Sequence, residues 1–183
     1  MKREFGQNFY GGLSSVETKK TIMKILSSAF EHNSMIPAKY TCDGENINPS
    51  LKISSVPKDA KSLVLIVDDP DATRGYTWLH WTVWNIDPLT KEIEENSVPE
   101  KGVEGITDFG ESGWGGPCPP ASPNQGEPSG SHRYFFKLYA LDNVLELPPG
   151  TPLSEVQRMM NSHILDQTEL IGLYSRKKSG GEI

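Results

Sequence analysis

Two short stretches gather most of the side chains capable of chemistry. Asp69-Pro70-Asp71 leads through a turn-rich segment to Trp78-Leu79-His80-Trp81, and Gly113-Trp114-Gly115-Gly116-Pro117-Cys118-Pro119-Pro120 leads to His132-Arg133-Tyr134. In each, turn-forming residues precede a run of strand character that opens on histidine, so polar groups are offered where backbone leaves a sheet, the usual place for a binding site. If residues 63–67 and the run through His80 are antiparallel neighbours, Asp69 and His80 share one sheet end. Alternation along the other strand puts His132 and Tyr134 on one side and Arg133 on the opposite side. With that strand starting at the same end, two carboxylates, two imidazoles and a phenol converge on a small volume. The Gly115-Gly116-Pro117 backbone can approach it closely, because glycine imposes no side chain.

Such a set can hold a phosphate or a carboxylate. Histidines that titrate near neutral pH, a phenol and backbone N–H groups all make favourable hydrogen bonds to an anion. Asp69 and Asp71 would repel it unless they hold a histidine protonated or meet a cationic part of the ligand, and a zwitterionic headgroup satisfies both signs. Other chemistries fit less well. Two histidines and an aspartate could ligate zinc, but HxH and HExxH spacings are absent, which leaves a metal-dependent hydrolase as the least favoured alternative. Cys118 with His132 imitates a thiol–imidazole pair without a third, orienting residue. No GxSxG, Walker or dinucleotide motif occurs, so the expectation is a binding protein without catalysis, metal or cofactor.

The elements that must position these groups read as mostly β. Fourteen prolines and 17 glycines separate short apolar runs, the punctuation of a strand-rich domain. Residues 63–67 form a continuous apolar run, as in a central strand covered on both faces. Residues 82–86 and 134–141 are the next strands, rich in aromatic and β-branched side chains and stopped by Asp87-Pro88 and Asp142-Asn143. One helix is expected, with Thr151 as N-cap, Pro152 in the first position, and Leu153, Val156, Met160 and Ile164 on one face. It should run to about Glu169, before a returning strand over residues 170–174.

A chain of 183 residues suits one domain. Residues 1–22 read as a flexible extension, 23–176 as the domain and 177–183 as a flexible tail. The net charge of -6 argues against nucleic acid as partner. No apolar run approaches the roughly 20 residues that span a bilayer, and the start lacks the apolar core of a secretory signal. A cytoplasmic location follows as the expectation. Cys42 and Cys118 belong to no CxxC pair and read as reduced thiols, with a Cys42–Cys118 bridge as the alternative because both sit in turn contexts.

The ordered motifs Asp69-Pro70-Asp71, Trp78-Leu79-His80-Trp81, Gly116-Pro117-Cys118-Pro119-Pro120 and His132-Arg133-Tyr134 together resemble the phosphatidylethanolamine-binding protein family, in its bacterial and archaeal Raf-kinase-inhibitor-like branch. Tyr40-Thr41-Cys42-Asp43-Gly44 and Lys137-Leu138-Tyr139-Ala140-Leu141 add to the resemblance, which spans roughly residues 23–176. It implies a mainly β, two-sheet antiparallel fold with a C-terminal helix. It also implies a ligand pocket of Asp69, Asp71, His80, Gly116, Pro117, His132 and Tyr134 that takes phosphate-like groups or phospholipid headgroups. Some members inhibit kinases or proteases, so such a partner is implied here too. Two departures stand out: Thr73 replaces an expected proline, and residues 121–131 form a longer connection to His132 than the family's short linker. That loop could overhang the pocket, or act as an inhibitory surface with the pocket only structural. Exposed aromatics could also support a homodimer.

Overall fold

The structure is a computed structural model that describes residues 22–122 and 130–177. The expected extension (1–22, apart from Ile22), the middle of the 121–131 loop and all but the first residue of the tail lie outside the described residues.

In chain order the elements are β1 (Lys24–Ser27), β2 (Ser34–Met35), β3 (Leu51–Ser54), β4 (Ser62–Asp69), β5 (Trp78–Ile86), β6 (Glu92–Ile93), β7 (Val103–Glu104), β8 (Ala121–Ser122), β9 (His132–Leu141), α1 (Leu153–Met160), β10 (Ile164–Tyr174) and β11 (Arg176–Lys177). A large sheet runs β2-β10-β9-β4-β5-β7, a small one β1-β3-β6, and β11 pairs with β8. The long pairings are antiparallel, while the two-residue pairings of β2 with β10 and β8 with β11 are parallel.

Strand β4 is buried along its whole length because both faces are covered. Leu63, Leu65 and Val67 pack with Trp81, Val83, Phe136 and Leu138 in a core that takes in Ile25, Leu51 and Ile53 from the small sheet. Val64 and Ile66 face the other way, against Leu141 and the α1 residues Val156 and Met160. The continuous apolar run at 63–67 is thus the centre of two apolar layers. Its register with β5 pairs Asp69 with Trp78, and its register with β9 pairs Asp68 with Phe135. The C-terminal end of β4 and the N-terminal ends of β5 and β9 therefore meet at one edge of the fold.

The helix is shorter than its apolar spacing predicts. It ends at Met160, and residues 164–169 continue as strand, paired with β9 through a ladder that reaches Tyr174. Exposure alternates from Ile164 to Glu169, so the period-2 pattern overrides the single apolar match at Ile164. Thr151 does not cap the helix. Pro152 occupies the N-cap without a side-chain cap, and the Thr151 hydroxyl donates to the Pro148 carbonyl at 2.6 Å, closing the preceding turn.

Candidate functional site

At the shared end of β4, β5 and β9 lies a cleft of about 100 Å³ lined by Asp69, Thr73, Arg74, Trp78, His80, Phe109, Cys118, Pro119, Pro120, His132 and Tyr134 among others. Liquid water takes about 30 Å³ per molecule, so the space suits a group of phosphate size. Four residues expected from the sequence to meet here do so: Asp69, His80, His132 and Tyr134.

Each polar group has a distinct state. His132 Nδ1 lies 2.7 Å from Asp69 Oδ2, and this bond to a carboxylate raises the His132 pKa above the ordinary histidine value. The carboxylate thereby favours the charged form of His132, in which Nε2–H is the remaining donor. His80 is opposite in character. Burial lowers its pKa, and its Nδ1 lies 2.6 Å from the Gly115 carbonyl, which can only accept. The proton therefore sits on Nδ1, and Nε2 keeps its lone pair. The His80 ring packs edge-on against Tyr134 and Phe109. The buried Tyr134 hydroxyl has no hydrogen-bond partner among the described residues, and burial raises its pKa far above the usual phenol value. At the rim, the Arg74 guanidinium lies 5.0 Å from the centre of the Trp78 ring.

Asp69 is fully engaged. Its second oxygen accepts from the Asp71 amide at 2.8 Å, so it orients His132 instead of repelling an incoming anion. Asp71 does not line the cleft. It accepts from the Arg133 Nε, Nη2 and backbone N–H at 2.8, 2.8 and 3.0 Å, and this arginine bond lowers its pKa. The Asp-Pro-Asp turn thus ties the end of β4 to the start of β9, with Arg133 pointing away from His132 as strand alternation requires.

Gly116 and Pro117 also stand behind the lining. The Gly116 amide donates to Asn46 Oδ1 at 2.9 Å, and the Pro117 carbonyl accepts from the Cys42 amide at 3.1 Å. A Cβ on Gly116 would lie 2.4 Å from Asn46 Oδ1 and 2.5 Å from the Tyr40 carbonyl oxygen. Gly116→Ala must therefore push two backbones apart, and it is expected to cost about 1–3 kcal/mol, the usual penalty for overpacking. Urea denaturation measures it, and an unchanged midpoint would show that the wall is loose.

The structure also overturns the reading of the cysteines as reduced thiols. Cys42 and Cys118 are bridged, with Cα atoms 5.4 Å apart, so no free thiol is left to pair with His132. Phe109, Asp108 and Asn46 escaped the sequence reading. The Asp108 carboxylate accepts from the Leu79 amide at 2.7 Å, which brings the Phe109 loop up against β5; nothing local in the sequence signals that contact. Arg74 was findable as the sole cation in the connection between Asp69 and Trp78. Among the described residues no group of three His, Cys, Asp or Glu side chains could hold a metal ion, and no helix is long and apolar enough to cross a membrane.

A family model described as phosphatidylethanolamine-binding protein matches residues 26–175. The chain is 47% identical over 159 residues to a UPF0098 protein of Methanothermobacter thermautotrophicus, covering 84% of this chain and 99% of that one. Another UPF0098 protein, from Pyrococcus horikoshii, is 47% identical over 167 residues, covering 87% and 79%. Among solved structures, a phosphatidylethanolamine-binding protein homologue from Chlamydia trachomatis superposes with a TM-score of 0.78 at 38% identity, covering 86% of this chain and 99% of that one. E. coli YbcL, described as a new member of the mammalian family, gives a TM-score of 0.75 at 30% identity and coverages of 85% and 99%.

Proposed function

This chain belongs to the phosphatidylethanolamine-binding protein family, and from that membership we propose that it is a non-enzymatic binding protein whose cleft takes a phosphate or carboxylate group. The group is free or part of a phospholipid headgroup, and its presence modulates contact with a protein partner such as a kinase or protease. The proposal includes a cytoplasmic setting and no cofactor.

The observation that carries this reading is the buried Tyr134 hydroxyl, without a partner among the described residues, in the same cleft as His132 and His80. A buried polar atom without a partner costs stability, so its retention calls for a compensating role. An anion would supply the acceptor for Tyr134 and for the His132 cation, while a protonated oxygen of hydrogen phosphate would donate to His80 Nε2. Arg74 adds positive charge at the mouth. The one free lone pair, on His80 Nε2, would be taken up by the protonated ligand oxygen, and Asp69 is occupied in orienting His132. The arrangement favours holding an anion over turning one over.

Tyr134→Phe deletes the hydroxyl and keeps the ring. Stability should stay at or slightly above wild type, because no protein hydrogen bond is lost. Affinity for phosphate and for O-phosphoethanolamine should fall by about five- to tenfold, one hydrogen bond's worth, as read by isothermal titration. Equal affinities in the two proteins, or no binding by wild type at millimolar ligand, would sink the reading.

A further inference from the structure

We propose that the Cys42–Cys118 disulfide is a redox modification site for small dithiols, and that opening it weakens anion binding in the adjacent cleft. The redox chemistry stands on the bridge itself; its effect on anions rests on the anion-binding reading above.

The bridge is placed unlike a buried structural staple. Both half-cystines are exposed, and exposed disulfides are the more readily reduced ones. The two sulfur-bearing residues share one space but not the other. Cys118 lines the anion cleft, whereas Cys42 does not. Behind the bridge lies a second hollow of about 230 Å³, lined by Cys42, Cys118, Asn46, Phe109, Glu111 and Trp114 among others. A dithiol entering that hollow reaches Cys42 without passing the anion site.

Both sulfurs border the second hollow, and the charge of the anion cleft beside Cys118 favours one direction of exchange. A thiolate of the dithiol attacks Cys42 Sγ from the second hollow. A sulfur–sulfur bond forms between reductant and Cys42, the Cys42–Cys118 bond breaks, and its electron pair departs on Cys118. The second thiol of the reductant then attacks its own sulfur in the mixed disulfide and releases Cys42. Two electrons pass from the dithiol, which leaves as its cyclic disulfide; one of its protons goes to solvent when the attacking thiolate forms, the other ends on Cys42, and Cys118 is left as the thiolate. Cys118 is a good leaving group here, because its thiolate emerges into the cleft that holds the His132 cation and the Arg74 guanidinium, and nearby positive charge stabilises thiolates.

The consequence for an anion follows. A thiolate on the cleft wall competes for the same cations and repels a second negative charge. Opening the bridge also removes the covalent tie between the Pro117-Cys118-Pro119-Pro120 wall and the 41–44 loop, leaving the Cys42 amide's hydrogen bond to the Pro117 carbonyl to hold them together. That loop stays anchored elsewhere, since the Tyr174 hydroxyl donates to Asp43 at 2.7 Å and Arg176 pairs with the same carboxylate. The fold should therefore survive reduction.

The test uses the full chain, oxidised or treated with dithiothreitol, with free thiols counted and near-ultraviolet circular dichroism recorded. Two thiols should appear without loss of the dichroism, and phosphate affinity by isothermal titration should fall about tenfold. Cys118→Ser, which has neither bridge nor cleft thiolate, should fall between the two states. A bridge that dithiothreitol opens only with loss of the folded dichroism, or equal phosphate affinity in both states, would overturn the proposal. If the oxidised protein binds no phosphate, the anion reading fails separately, and the His132 ring resonances decide the redox coupling. Titration curves that shift on reduction support it, and superimposable curves overturn it.

Discussion

Replacing Asp69 with alanine is expected to weaken phosphate binding at neutral pH by about a hundredfold. Asp69 Oδ2 accepts the His132 Nδ1 proton at 2.7 Å, and Oδ1 accepts the Asp71 amide at 2.8 Å. The variant loses the cation it stabilises and the turn that aims it. A hydrogen bond to a charged group contributes about 1.5–3 kcal/mol, and the upper half of that range is a hundredfold in affinity. The sign with pH is also fixed. The bond to Asp69 raises the His132 pKa and so extends the pH range over which the ring is charged, and wild-type affinity declines as pH rises through that elevated value. In Asp69→Ala the decline moves to lower pH. Calorimetric titrations across pH 5.5 to 8.5 would show the displacement, and parallel curves for both proteins would separate Asp69 from His132.

The second large effect concerns stability on the opposite face of the same strand. Asp68 is buried and bonded to Lys137 at 2.7 Å, and its other oxygen has no partner among the described residues. Lys137→Met leaves this buried carboxylate without its half-buried counter-charge, a change that costs about 1–3 kcal/mol for a buried polar group left without its partner. Burial already raises the Asp68 pKa above 3.8, and loss of Lys137 raises it further. A carboxyl whose folded pKa exceeds its unfolded one contributes most below the unfolded value and loses that contribution as pH rises through the folded value. Lys137→Met should thus be most damaged near neutrality and partly recover in acid. Asp68→Leu with Lys137→Met should return close to wild type, since an apolar pair of similar volume replaces the ions. Chemical denaturation at pH 7 and pH 4.5 tests both; an equal loss at the two pH values would show that packing, and not charge, is responsible.

Much of this was readable in the residues. The run at 63–67 had to be central because an apolar stretch without alternation needs cover on both faces, and β4 has it. Period 2 placed His132 with Tyr134 and turned Arg133 away, and turn chemistry brought Asp69 to the same sheet end as His80. What escaped depends on contacts distant in sequence. Asp71 looked like a ligand-facing carboxylate because its partner Arg133 lies 62 positions away. The Phe109 loop is held by Asp108 on β5, a pairing without local signature. The helix end was misplaced because Ile164 fits both a helical face and the first position of β10. A second sheet was expected from the family resemblance alone, and its strands could not be placed because four-residue and two-residue strands offer too few positions for a period to emerge.

The strand order also has a temporal consequence. In the large sheet, β4 sits between β5 and β9, yet Asp69 precedes its partner His132 by 63 positions. During synthesis at roughly 5–20 residues per second, about 3–13 s pass between the emergence of the two. Through that interval β4 and β5 can pair as a local hairpin, but one edge of β4, lined by some of the most apolar side chains in the molecule, waits for β9. Only when that late strand docks are this edge of β4 covered and the His132–Asp69 pair made, after which β9 waits in turn for β10. Appearance of the cleft therefore marks the moment at which the most apolar strand of the molecule is covered on both edges.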